Sequence, residues 1–438
     1  MASSGAEESV IAFLTFFLGI AFGVHTVELS AGPGVARVEL RVDGVRAAEI
    51  GPPWKATLDL GGEVAPRELV AIAYDAGGNV LGEARQWINR ATSDAEAGLS
   101  LERDASGRVV AARLSWRCPV SPEPASISVS FDGQPLEVRD PARIPLPPHA
   151  AGSAHLLVAD LAFAEGIAAT AVASFGGKAA DEAQRELSAV PVRLAAGARL
   201  PDAAAMEGWF EAGGKALPVA AVEEGPAEVV FVSAGRARLD LEGLAASRSA
   251  PWPRPWTRPL DPARESRLRF LSATPRLVQA KGSLTRVFPS SREEVPAVRA
   301  FLRLGQDAFR DEGEAPQRIA EAVATAALAA TRRERRRAVV LLLGADARET
   351  GDLDAARARR YLARLRVPLH VWRVSPQRSA AGADWPGAVD ASTIAGLGRA
   401  FETLRSDLAS QRVVWVEGRI APSAVTVAPR AAGVVAAR

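Results

Sequence analysis

Residues 338–343 read Ala-Val-Val-Leu-Leu-Leu, six apolar residues in a row behind the basic run Arg332 to Arg337. A short continuous apolar run fits a strand buried on both faces, the usual state in a parallel sheet. Glu228-Val-Val-Phe-Val232 reads the same way, and Arg267–Leu271, Val367–Trp372 and Arg412–Val416 supply further strands. Helical periodicity falls between them. Residues 316–331 open on Pro316 and carry Ile319, Val323 and Ala327 on one face. Residues 352–365 place Ala358, Tyr361, Leu362 and Leu365 at helical spacing, and residues 391–409 do so with Ile394, Leu397, Phe401, Leu404 and Leu408. Strands alternating with helices predict a mainly parallel, Rossmann-like sheet covered by helices.

Upstream the rhythm is different. From 25 to 93, short alternating runs are separated by turn residues: Val38, Leu40 and Val42 alternate, and Asp43-Gly44 supplies hairpin chemistry. A second stretch, 97–193, repeats the plan. Ile127-Ser-Val-Ser-Phe-Asp132-Gly133 echoes Val38 to Gly44, and Ala169–Phe175 with its glycines echoes Val70–Tyr74. The offset suits two immunoglobulin-like β-sandwich modules. Ile144-Pro-Leu-Pro-Pro148 reads as an extended connection within the second.

The N-terminal segment, 1–24, contains the apolar run 10–24. It is shorter than the about 20 residues of a spanning helix. Glu7 and Glu8 precede it where a signal peptide carries basic residues. Phe, Ile, Val and Thr also suit strands. Two readings stand: a signal or membrane anchor, or the first strands of the first module.

Composition narrows the classes. Fifty-three basic residues offset fifty-one acidic ones, for a net charge of +2. Nucleic-acid binding needs a broad basic face, so Arg332–Arg337 reads as the solvated end of a helix. The single cysteine, Cys118, excludes an intrachain disulfide and reads as a core thiol beside Leu114 and Trp116.

Four stretches, Met206 to Lys215, Glu224 to Val232, Arg335 to Gly344 and Tyr361 to Trp372, fall in a recognisable order. Through them residues 195–420 resemble the von Willebrand factor type A (VWA)-related family of the acidobacterial type. The resemblance implies a β lead-in over 195–224, a VWA-like domain over 225–420 and a tail over 421–438. The run from Gly235 to Ser266, Pro- and Trp-rich over Pro251–Trp256, departs from the family, which has a first helix there. The family also implies Mg²⁺ held by Asp-x-Ser-x-Ser, a Thr loop and a further Asp. This chain has Ser233-Ala-Gly235-Arg236-Ala237, Gly313-Glu-Ala-Pro316 and Asp346 at those places. One hydroxyl and one displaced carboxylate do not meet the oxygen demand of a hard cation. No cofactor is expected. If a metal site survives, Ser233 and Asp346 would be its ligands. Otherwise Ser233, Gly235, Arg236, Asp346 and Glu349 form loops that contact a partner, with Asp346 and Glu349 capping the next helix or facing water.

Catalytic signatures are missing from the sequence. The four histidines are His25, His149, His155 and His370. His370 sits in an apolar strand as a core residue, and His149 with His155 would need further ligands to hold a metal. Phe175-Gly-Gly-Lys178 lacks the Ser or Thr of a phosphate loop, and Glu223-Glu224 and Glu293-Glu294 are adjacent rather than convergent. The expectation is a non-enzymatic protein-binding or scaffold protein, outside the cytoplasm or attached to the bacterial envelope. The alternatives are a cation-dependent adhesion module and a hydrolase with an unfamiliar site.

Overall fold

A computed structural model describes residues 10–437, except 16, 18–19, 91–94, 119–121, 151–154, 164–167, 177–186, 238–239, 242–266, 281–282, 289, 294–315, 333–334, 419 and 421–423. The chain divides into two compact units, Met1–Thr92 and Ser93–Arg438.

The first unit is a sandwich of seven strands: β1 (Ile11–Phe13), β2 (Val24–Ala31), β3 (Arg37–Val42), β4 (Val45–Ile50), β5 (Lys55–Asp59), β6 (Arg67–Tyr74) and β7 (Val80–Ile88). One sheet has the order β1-β2-β5 and the other β4-β3-β6-β7. Ile11, Phe13 and Ala21 of the N-terminal apolar run are buried in the core with Val27, Leu40 and Leu69. Within this stretch Ile11–Phe13 forms one strand and Val24 opens the next. Among the described residues no helix is long and apolar enough to cross a membrane, which says nothing of strands.

The second unit opens with the same plan: β8 (Glu96–Arg103), β9 (Val109–Arg117), β10 (Ser126–Phe131), β11 (Gln134–Leu136), β12 (Ile144–Pro145), β13 (His155–Ala162) and β14 (Ala168–Phe175). The sheets are β12-β9-β8 and β11-β10-β13-β14, the same three-on-four arrangement. The Asp-Gly echo is genuine. Asp43 and Asp132 have φ of 51° and 49°, each followed by a positive-φ glycine. Such a turn needs two residues in the left-handed region, which Asp and Gly tolerate best. The second echo is misaligned: Val70–Tyr74 lies in β6, whose counterpart is β13, whereas Ala169–Phe175 lies in β14. Both stretches are small and apolar, so sequence alone did not separate them. Ile144-Pro145 is an edge strand paired with β9, where proline's missing N–H is tolerated. Cys118 is half-buried against this module's core.

A third β unit follows, unforeseen in the sequence. Its strands β15 (Leu187–Leu194), β16 (Phe210–Ala212), β17 (Lys215–Ala216) and β18 (Val219–Glu223) precede the α/β domain. The α/β domain has β19 (Ala227–Ala234), β20 (Arg267–Ser272), the hairpin β21 (Arg276–Ala280) and β22 (Ser283–Val287), and β23 (Ser290–Glu293). Helix α1 (Ile319–Ala330), β24 (Arg336–Leu343), α2 (Ala355–Arg364), β25 (Leu369–Arg373), β26 (Val389–Asp390) and α3 (Ile394–Ser410) complete it. Then β27 (Gln411–Glu417), β28 (Val425–Val427) and β29 (Val434–Ala436) return to the third β unit.

The strand Arg412–Val416, expected in the parallel sheet, instead pairs antiparallel with β15 and β18. Two sheets, β18-β27-β15-β29 and β17-β16-β28, enclose Val190, Met206, Phe210, Val414 and Val434. So the stretches read as a lead-in (195–224) and a tail (421–438) both contribute strands to this sandwich. Leu187–Leu194, read as the end of the second module, does so too. The α/β domain is an insertion between neighbouring strands β18 and β27.

Its sheet runs β23-β20-β19-β24-β25-β26, parallel except for the edge strand β23. That is the doubly wound order 3-2-1-4-5-6. Every residue of β24 is buried. Trp372, Leu397, Ala400 and Leu404 pack with Phe231 and Val340 on one side. Helix α1 begins at Ile319, three residues after Pro316. The Pro251–Trp256 run, Gly313–Ala315 and Lys178 lie outside the described residues, as does Glu294.

Candidate functional site

In a doubly wound sheet, ligands settle at the carboxyl edge where the strand order reverses. Here that point lies between β19 and β24. The chain leaves β19 through Gly235, at φ +66°, and leaves β24 through Gly344. The two exits touch. A Cβ on Gly344 would lie 2.2 Å from the Ala237 nitrogen, and one on Gly235 would lie 2.5 Å from the Ala347 nitrogen. Only glycine permits such backbone contact. Gln317, 7% exposed, laces the junction. Its Oε1 accepts from the Gly235 N–H (2.9 Å) and the Arg348 N–H (3.3 Å), and its Nε2 donates to the Asp346 carbonyl (3.2 Å). Nothing in the sequence marks this lone glutamine.

The loop residues read from the sequence have distinct surroundings. The Ser233 hydroxyl is buried and has no hydrogen-bond partner among the described residues. Arg236 and Asp346 are exposed and face each other at 3.7 Å. These two positions offer one buried hydroxyl and one exposed carboxylate, and a hard cation requires several converging oxygens. Among the described residues no three His, Cys, Asp or Glu side chains lie together. Asp240 accepts from the Ala345 N–H at 3.1 Å, and burial holds its carboxyl above the usual range. Glu349 caps a helix, but the preceding α1 rather than the following α2. Its carboxylate accepts from the Ala320, Thr350 and Gly351 N–H groups at 2.7, 3.1 and 2.7 Å. Burial raises its pKa more than these bonds lower it. Asp354 caps α2, accepting from the Arg357 N–H at 2.7 Å.

The larger surprise is Arg335–Arg337. Read as solvated, all three are at most 7% exposed. Arg335 pairs with Asp160 of β13, whose other oxygen accepts from Thr170 at 2.7 Å. Arg336 donates to the Gly225 carbonyl (2.7 Å) and the Leu408 carbonyl (2.9 Å), one at each crossing into the inserted domain. The Arg337 N–H donates to Gln411 Oε1 at 2.9 Å. Arg366 reaches the Pro191 and Val425 carbonyls. A charge-only reading fails here because guanidinium groups are buried when carbonyls and carboxylates receive them.

Glu223 lies in the same junction and accepts from Trp415 Nε1 at 3.2 Å. Burial raises its pKa, against the opposing pull of Trp415, Arg335 and Arg336. A carboxyl with a raised folded-state pKa stabilises the fold at low pH and loses that contribution as pH rises through the folded value. Glu223→Gln keeps the acceptor for Trp415 and cannot ionise. The variant is expected to unfold at a higher temperature than the parent at pH 7, with the gap shrinking towards pH 4. Equal melting curves across that range would refute the direction.

His370, read as a core residue, faces Asp407 across 3.1 Å. Asp407 also pairs with Arg193 of β15 at 2.5 Å. Burial raises the Asp407 pKa, yet His370 and Arg193 outweigh it and leave it low. His149 and His155 stack edge to face at 4.9 Å beside Phe131 and Phe175. His155 Nδ1 faces Asp132 at 2.7 Å and its Nε2 faces the Ala150 carbonyl at 3.1 Å, so both its ring nitrogens are engaged. Arg67 occupies the matching place in the first module, donating to Asp43 at 2.9 Å. The pattern is a turn brace repeated in both modules. His25 Nε2 faces the Phe22 carbonyl. Glu224 pairs with Arg412 at 2.5 Å, so it and Glu223 serve different contacts.

No protein-family model matches the chain, and no curated protein matches it. Several solved structures are similar to parts of it. The fibronectin(III)-like modules of Clostridium thermocellum CbhA share 20% identity over 18% of this chain and 92% of theirs, with a TM-score of 0.16. The central fibronectin-III array of RIM-binding protein shares 14% over 41% and 73%, at 0.18. The proximal thread matrix protein 1 of the mussel byssus shares 15% over 43% and 47%, at 0.28. Likeness at these scores carries no weight, so the immunoglobulin-like sandwich and helix-flanked parallel sheet rest on strand order and register.

Proposed function

We propose that this chain is a non-enzymatic protein-binding or scaffold protein whose VWA-like domain acts by surface contact without a metal. The observation that supports the reading is the closed switch point: Gly235 and Gly344 bring the loop backbones together, and Gln317 laces them. What remains to engage a partner at this edge is the exposed pair Arg236 and Asp346. The resemblance of 225–420 to the VWA-related family belongs to the same reading, as does a place outside the cytoplasm or on the envelope.

Affinity capture from the envelope fraction of the producing cell tests it. A recurrent protein partner should be recovered, and Arg236→Glu should lower its recovery about tenfold, within the range for a contact residue at an interface. Recovery indifferent to Arg236 would overturn the loop assignment. Calorimetric titration with Mg²⁺ separates the cation-dependent alternative. Flat heats are expected, whereas saturable binding lost in Asp346→Ala would establish that alternative.

A further inference from the structure

The chain's two Asp-Gly pairs, Asp43-Gly44 and Asp132-Gly133, close the hairpins β3–β4 and β10–β11. In each, aspartate and glycine both take positive φ, 51° and 80° in the first and 49° and 78° in the second. Asp-Gly is also the pair in which a backbone amide most readily attacks the preceding side chain, because glycine puts no Cβ in the way. Nothing lies within 4 Å of where a Cβ on Gly44 or Gly133 would stand, and the two aspartate side chains are 45% and 42% exposed. Water therefore reaches both turns.

Both carboxylates are nevertheless tied to the neighbouring strand, and tied alike. The Asp43 N–H donates to the Glu68 carbonyl at 2.8 Å, and Asp43 Oδ1 accepts from the Glu68 N–H at 2.9 Å. Asp132 forms the same closed pair with Leu156, at 2.8 Å in each direction. The side chain thus extends the ladder one step beyond the strand. The second carboxylate oxygen accepts from Arg67 in the first module (2.9 Å) and faces His155 in the second (2.7 Å). Intramolecular attack needs the reacting atoms about 3–3.5 Å apart and aligned. A carboxyl group with both oxygens drawn to the next strand is held out of that alignment.

We propose that Asp43 and Asp132 are latent sites of isoaspartate formation, kept closed in the folded modules by this brace. The reaction needs only water. The glycine nitrogen bonds to the aspartate Cγ, and its proton leaves with the carboxyl hydroxyl as water, closing a succinimide. Water then adds back. Opening at the side-chain carbonyl returns aspartate, whereas opening at the main-chain carbonyl routes the backbone through Cγ and frees the α-carboxyl. The isomerised backbone is one carbon longer. It no longer fits a two-residue turn, and the paired bonds to Glu68 or Leu156 are lost with the turn.

The test ages the full chain at neutral pH and measures isoaspartate at each site by peptide mapping, both folded and in guanidinium. Slow formation at both sites is expected in the folded chain, rising about tenfold or more once it is unfolded. Arg67→Met should raise the folded rate at Asp43 severalfold, while Asp132 in the same molecule keeps its own. Arg67→Lys, which can still donate to the carboxylate, should leave Asp43 slow. That pair of variants separates loss of the brace from loss of the fold, and melting curves of both check the same point. Equal rates in the folded and unfolded chain would overturn the proposal. So would an Asp43 rate indifferent to Arg67→Met, or one raised as much by Arg67→Lys.

Discussion

Asp160→Ala is expected to destabilise the unit 93–438 by about 3–5 kcal/mol, because it leaves Arg335 buried without its carboxylate. Both side chains are under a tenth exposed, so water cannot take Asp160's place without opening the junction. The loss is not confined to one module. Asp160 belongs to the second sandwich and Arg335 leads into the central strand of the inserted domain. Glu223 and Trp415 of the third unit sit alongside them. Leu156 and Val158 of β13 pack against Ala189, Val413 and Trp415, which extends the same contact with apolar surface. Hydrogen exchange should therefore accelerate together in β13 and β24, while β3 and β6 of the first unit keep their rates. Adding Arg335→Met should restore part of the lost stability, since removing both charges is milder than stranding one. If Asp160→Ala left urea unfolding and exchange unchanged, the ion pair would hold nothing together.

That junction also explains what was legible in the sequence and what was not. Periodicity reports which face of an element is buried, and it served well for β19, β24, α2 and α3. It is silent on the partner. Gln411–Glu417 reads as a buried strand and is one, but its neighbours are β15 and β18, which lie about 190 to 220 residues earlier. An insertion between paired strands leaves no local mark, because Glu224-Gly-Pro226 is an ordinary linker and α3 runs straight into β27. The Asp-Gly turns were readable because their backbone geometry demands those residues. The burial of Arg335–Arg337 was not, since charge argues for water unless the receiving carbonyls of Gly225 and Leu408 are known. Gln317 was missed for a similar reason: its role exists only once β19 and β24 lie side by side.

The closed edge is where the functional reading is most exposed to test, and Gly344→Ala probes it directly. The added Cβ would sit 2.2 Å from the Ala237 nitrogen and 2.7 Å from the Ala237 Cα and the Arg236 carbonyl carbon. All three are backbone atoms, so no side-chain rotation relieves the clash. The 235–237 loop must retreat, and the bonds that anchor it stretch with it: Gly344 N–H to Ala234 (3.0 Å) and Gly235 N–H to Gln317 (2.9 Å). Overpacking a rigid contact costs about 1–3 kcal/mol, occasionally more, and this site belongs at the upper end. Gly382→Ala is the control in the same domain, where the new Cβ meets only the Ser379 hydroxyl at an ordinary 3.6 Å. Gly344→Ala should lower the unfolding midpoint and speed exchange at Gly235, Ala237 and Ala345, while Gly382→Ala does neither. Because the clash parts the loops that present Arg236 and Asp346, partner recovery should fall with Gly344→Ala as it does with Arg236→Glu. A stable Gly344→Ala chain with slow exchange at these amides would mean that the edge is loose enough to admit a ligand, and surface contact would no longer be the function the geometry favours.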